Sequence, residues 1–124
     1  MSRASIKPKS QVLQYAWHHV PNEGIRPPGY CRIVVAGIGG AGNNTITRLM
    51  QVGIVGAETI AVNTDAQDLL YTDADVKVLI GKELTGGLGA GANPQLGMEA
   101  AKESKEDLKK ALRGADTVSY THLT

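Results

Sequence analysis

Arg32-Ile33-Val34-Val35-Ala36-Gly37-Ile38-Gly39-Gly40-Ala41-Gly42-Asn43-Asn44 is the stretch that decides the fold. Arg32–Ala36 is a short, largely apolar and β-branched run, of the kind that forms a strand buried on both faces of a parallel sheet. The glycines after it stand as Gly37-x-Gly39-x-x-Gly42, and Ile46, Leu49 and Met50 then recur at helical spacing as far as Gly53, a suitable C-terminal stop. Strand, glycine turn, helix is the context in which a G-x-G-x-x-G match has physical meaning. Glycine allows the tight turn and lets backbone amides approach an anion with no β-carbon in the way. The N–H groups at the helix start, with the positive end of its dipole, then hold phosphate. The motif alone does not select a nucleotide.

Working outward, Thr59-Ile60-Ala61-Val62 reads as a second buried strand, ending in Asn63-Thr64-Asp65. Ala66, Leu69 and Leu70 predict a short helix, and Val76–Ile80 a third strand. A second glycine-dense stretch follows at Gly86–Pro94. A single long helix is expected from about Pro94 to Arg113, with proline at its start and Gly114 past its end. Ala100, Ala101, Leu108, Ala111 and Leu112 form its apolar stripe, while Glu103, Lys105, Glu106, Lys109 and Lys110 face water. Thr117-Val118 begins a fourth strand. The strand–helix alternation predicts an α/β fold, a doubly wound parallel sheet of Rossmann-like type. About four strands and three helices amount to half of such a domain, and no internal repeat is present.

The 124 residues suffice for one small domain. Phenylalanine is absent and Trp17 and four tyrosines are the aromatics, while the net charge is +1, so neither a base-stacking platform nor a field able to hold a nucleic acid is present. Cys31 is the single cysteine, which excludes an internal disulfide or thiolate cluster. No apolar run reaches the length of a membrane span, and the expected location is the cytoplasm. Residues 1–30 carry Arg3, Lys7, Lys9 and Arg26 against Glu23 alone, together with Pro8, Pro21, Pro27 and Pro28. They read as a flexible basic arm, with a short helix around Gln11–His18. His18–His19 lacks the further ligands of a metal site.

Two nucleotide readings compete. In a dinucleotide-binding oxidoreductase, Gly37, Gly39 and Gly42 would hold the pyrophosphate of NAD. Asp65, at 23 positions past Gly42, would hold the ribose. The other reading is a triphosphate-binding GTPase without a Walker lysine, since no G-K-[ST] occurs in the chain. The second glycine cluster favours the triphosphate, whose γ-phosphate a further loop can wrap and report.

At this point the residues resemble a family. Gly37–Asn44, then Ala61-Val62-Asn63-Thr64-Asp65-Ala66-Gln67, then Gly87-Leu88-Gly89-Ala90-Gly91-Ala92-Asn93-Pro94 are similar, in order and spacing, to the first three nucleotide loops of FtsZ, the tubulin-like GTPase of the prokaryotic division ring. The similarity runs from about Arg32 to Val118, and Thr45–Met50 and Ala100–Lys110 look closest to archaeal members. The resemblance implies GTP or GDP as ligand, with Mg²⁺ carried by the nucleotide. Gly39, Gly40, Ala41, Gly42, Asn43 and Asn44 would cradle the α- and β-phosphates through backbone amides. Asn63 and Asp65 would border the nucleotide and its hydrated Mg²⁺, although an Asp at a strand end is also a common helix N-cap. Gly89, Ala90, Gly91 and Asn93 would form the γ-phosphate loop. The implied partners are further FtsZ-type subunits in a head-to-tail polymer, the next subunit supplying the acids that position the attacking water.

The expected domains are a basic arm over 1–30, a partial GTP-binding domain over 31–118, and an end over 119–124 that departs from the family. After Val118 the family continues into a G-G-G-T-G-T-G loop, where this chain reads Ser119-Tyr120-Thr121-His122-Leu123-Thr124. That departure is expected of a truncated or mis-assembled reading frame, marginally stable, binding GTP weakly and not turning it over alone. The remaining alternative is a fragment that caps a growing filament without catalysis.

Overall fold

A computed structural model describes residues 31–122. The expected arm over 1–30, with its Gln11–His18 helix and its histidine pair, lies outside the described residues, as do Leu123 and Thr124. The elements run β1 (Ile33–Ile38), α1 (Gly39–Val52), β2 (Glu58–Asn63), α2 (Ala66–Tyr71), β3 (Val76–Leu79), α3 (Lys82–Thr85), α4 (Pro94–Glu103), α5 (Lys105–Leu112) and β4 (Thr117–His122). The four strands form one parallel sheet in the order β3-β2-β1-β4.

Side chains alternate between the two faces of the sheet, as the strand period requires. Val34, Ile60, Val62, Val76, Val78 and Ile80 form the core of one face with Ala100 of α4 and Ala111 of α5. On the other face Ala61 and Leu79 pack with Leu69 of α2, while Ile46 and Met50 of α1 are buried. The helices between β1, β2 and β3 thus cover one face, and those between β3 and β4 cover the other. This is the doubly wound arrangement, and the side on which successive strands are added reverses between β1 and β4.

At the base of the sheet Arg32 is 5% exposed, so its guanidinium needs partners within the protein. It finds them in the carboxylate of Glu58 and in the carbonyls of Ala111 and Arg113. Asp116 completes the junction by accepting the Arg32 backbone N–H at 2.8 Å. Together these contacts fix where the chain re-enters the sheet as β4.

Two features differ from expectation. The long helix is two helices, α4 and α5, interrupted at Ser104, whose hydroxyl turns inward and accepts the Gly81 N–H at 2.9 Å. A one-turn helix, α3, follows β3; the Glu103 carboxylate of α4 accepts the N–H groups of Glu83 and Leu84 at 3.0 and 3.1 Å. Ser119–His122 continue the fourth strand in register with β1, Ile38 standing opposite His122. Val118 and Tyr120 remain 42% and 64% exposed beside an apolar groove of about 250 Å³. The groove lies between α5 and the β1–β4 side of the sheet.

Candidate functional site

The carboxyl ends of β1 and β2 and the loops beyond them lie together at the carboxyl end of the sheet, next to the β1–β4 switch point, the end at which open α/β sheets bind ligands. Gly39 opens α1 with φ +77°, a conformation costly for any residue with a side chain. Gly42, one turn on, is buried against both neighbouring strands. A β-carbon there would lie 2.6 Å from the Thr121 carbonyl oxygen and 3.0 Å from the Gly37 carbonyl carbon. The first glycine sets the turn, and the last lets α1 press onto β1 and β4.

The N-terminus of α1 has no side-chain cap and no acidic residue in its first turn. Its first N–H groups, on Gly39, Gly40 and Ala41, therefore face the end of the sheet, where intrahelical acceptors do not reach. The helices α2 and α4 are closed by their own caps. Asp65 Oδ1 accepts the N–H groups of Gln67 and Asp68 at the start of α2, at 2.9 and 3.1 Å. Asn93 Oδ1 does the same for Gln95 and Leu96 of α4, at 3.0 and 3.3 Å.

Asn43 and Asn63 make the floor of the site. Asn43 is 1% exposed and donates through Nδ2 to the carbonyls of Gly37 and Val62, at 2.9 and 3.3 Å. Asn63 Nδ2 donates to Asn43 Oδ1 at 2.9 Å and, at 3.4 Å, to Asp68 Oδ2. Asn63 Oδ1 accepts the Asp65 N–H at 3.0 Å. The Asn43 side chain is thus internal, leaving its backbone and the exposed Asn44 on the loop itself.

The second glycine loop is bound to the same strand end. The Ala66 N–H donates to the Gly87 carbonyl at 3.0 Å, and the Gly89 N–H donates to the Thr64 carbonyl at 3.2 Å. Gly89 stands over Asp65, a β-carbon there falling 3.6 Å from Oδ2. Ala90 accepts the Asn93 N–H at 3.0 Å, which closes the loop onto the α4 cap, and Gly91 at its tip is exposed. Both glycine loops therefore contact the segment 63–68.

Asp68 was not among the expected site residues. Its Oδ2 lies 3.5 Å from where a β-carbon on Gly40 would stand, over the first glycine loop. An acidic residue in the first turn of the helix after β2 is the sequence signal that points to it.

The fold and these loops define a partial, doubly wound parallel α/β domain with two glycine loops at the carboxyl end of its sheet. Residues 32–124 match the family model for the tubulin/FtsZ family, GTPase domain, and the chain belongs to that family. It is 63% identical over 90 residues to cell division protein FtsZ 1 of Pyrococcus abyssi, spanning 73% of this chain and 24% of that protein. Identity to FtsZ 1 of Methanocaldococcus jannaschii is 62% over 90 residues, spanning 73% and 25%. An empty FtsZ dimer of M. jannaschii superposes with a TM-score of 0.72 at 61% identity, covering 74% of this chain and 27% of that one. CetZ2 of Haloferax volcanii, solved as a GTPγS-bound protofilament, gives 0.63 at 26% identity, covering 73% and 30%. The chain thus spans about a quarter of the length of the curated relatives it matches. Among the described residues no helix is long and apolar enough to cross a membrane.

Proposed function

We propose that this chain is the phosphate-binding N-terminal portion of an FtsZ-type GTPase domain and holds GTP or GDP with a nucleotide-borne Mg²⁺. The observation that carries the reading is the start of α1. A 14-residue helix presents its first N–H groups uncapped at the carboxyl end of the sheet, the geometry that attracts anions. Gly39–Asn44 would take the α- and β-phosphates. Gly89, Ala90, Gly91 and Asn93, tied to the same strand end, would meet the γ-phosphate. The carboxylate and amide oxygens of the 63–68 segment are hard donors of the kind compatible with Mg²⁺. That ion, when bound, would neutralise phosphate charge.

In this reading the chain binds and orients the nucleotide. Hydrolysis belongs to the head-to-tail polymer, where the next subunit supplies the water-positioning acids. The setting is cytoplasmic cell division. The oxidoreductase alternative uses the same first loop but gives the second loop no task. It also requires Asp65 to grip a ribose while its Oδ1 holds the start of α2.

Competition on the full chain tests the reading. GTP and GDP, followed by ligand-observed NMR in Mg²⁺ buffer, should bind weakly and displace each other, and NAD should not displace them. Displacement of GTP by NAD at similar concentration would overturn the assignment.

A further inference from the structure

The groove of about 250 Å³ between α5 and the β1–β4 side of the sheet is walled by apolar surface alone. Ala36 and Ile38 of β1, Ala101 of α4, and Leu108 and Leu112 of α5 line it, and Ile38 stays 38% exposed. Contiguous apolar surface left to water marks a place where another element docks. The volume falls below the roughly 300–1,000 Å³ of small-molecule pockets, and suits one or two large side chains.

Residues 1–30 join the domain at one edge of this groove. Arg32, where the chain leads into β1, donates through Nη2 to the Ala111 carbonyl at 3.1 Å, and Ala111 itself lines the groove. In the sequence before it, Val12, Leu13, Ala16, Trp17 and Val20 recur at i, i+1, i+4, i+5 and i+8, the spacing of one apolar helix face. Gln11, Gln14 and His18 fall on the opposite side of that repeat. Leu13 and Trp17 are an i, i+4 pair, neighbours on such a face. Pro21–Cys31 reaches at most about 36–40 Å when extended. The six residues of β1 measure about 20 Å, so the reach suffices.

We propose that residues 12–20 dock in this groove within the same chain, seating Leu13 and Trp17 between α5 and the β1–β4 side of the sheet. Removal of apolar surface from water on both sides drives the contact. The tether makes it intramolecular, an advantage that a second copy competing for the groove does not have. The segment thus covers the open apolar face, independently of any nucleotide.

Trp17 is the single tryptophan, so its fluorescence reports on the segment directly. In the full chain its emission should be shifted to the blue of that in urea. Acrylamide should quench it several-fold less than in urea, and dilution should change neither result. Nuclear Overhauser contacts should join the indole protons to the methyl groups of Leu108 and Leu112. Leu13→Asp lies outside the described residues and leaves the sheet and its helices unaltered in sequence; it should return Trp17 to the quenching seen in urea. Quenching of the unaltered chain equal to that in urea overturns the proposal, and so does unchanged protection in Leu13→Asp. A protected Trp17 with no contact to Leu108 or Leu112 places the segment on another face and overturns it as well. Protection lost on dilution assigns the groove to a second copy, against the proposal.

Discussion

Asn63 Nδ2 donates to Asn43 Oδ1 at 2.9 Å, joining the end of β2 to the first turns of α1 beneath the glycine loop. Because Asn43 also holds the Gly37 and Val62 carbonyls, one buried amide fixes the loop to two strands. Asn43→Leu keeps much of the volume and leaves those carbonyls without their donor. Buried polar groups left unpaired cost about 1–3 kcal/mol. A lower urea midpoint at unchanged m-value is the expected outcome. An unchanged midpoint would contradict the structural role.

The glycines of the loop should separate by mechanism. Gly42→Ala places a methyl 2.6 Å from the Thr121 carbonyl oxygen. It should destabilise the chain by about 1–3 kcal/mol, as overpacking does. Gly40→Ala meets only Asp68 Oδ2, at 3.5 Å. In a helical position that change should be neutral or stabilising, by up to about 1 kcal/mol. Thermal unfolding of the pair should therefore show opposite or clearly unequal shifts.

Lys77 is 8% exposed on β3, and burial pushes its ammonium below the ordinary lysine value, with Asp73 opposing part of that shift. The unfolded chain therefore holds this proton more tightly than the folded one. Stability attributable to the group rises with pH between its depressed folded value and about 10.4, and the penalty is full below that folded value. Lys77→Met should raise the urea midpoint at pH 7, and its advantage should shrink as pH approaches that upper limit. A constant advantage across that range would contradict the assignment.

Ser104 interrupts what would otherwise be one helix, its Oγ accepting the Gly81 N–H at 2.9 Å. Ser104→Ala removes the acceptor and leaves a buried N–H. A loss of about 1–3 kcal/mol is expected. Hydrogen exchange at the Gly81 amide should quicken more than at the β2 amides, and unchanged protection there would show that the hydroxyl is dispensable.

Where the determinants are local, the sequence was informative. The apolar runs marked β1, β2 and β3 to within two residues at either end, Asp65 signalled the start of α2 through ordinary capping chemistry, and Pro94 marked the start of α4. What escaped the reading is held by long-range contacts. The break at Ser104 depends on Gly81, which is 23 residues away. The single turn of α3 is closed by Glu103, about 20 residues away, with no local cap to announce it. The site divides in the same way. Its glycine loops show as local patterns, whereas the Asn43–Asn63 bond and the position of Asp68 over Gly40 arise only when β1 and β2 lie side by side.

Backbone amide shifts of the ¹⁵N-labelled full chain, titrated with GTP in Mg²⁺ buffer, test the central claim most directly. The account predicts that Gly39, Gly40, Ala41, Gly42, Asn43 and Asn44 move first and most, that Gly89, Ala90 and Gly91 follow, and that α5 stays still. GDP should reproduce the first set with smaller changes in the second. Shifts confined to other surfaces, or none at millimolar nucleotide, would contradict a phosphate site at the start of α1.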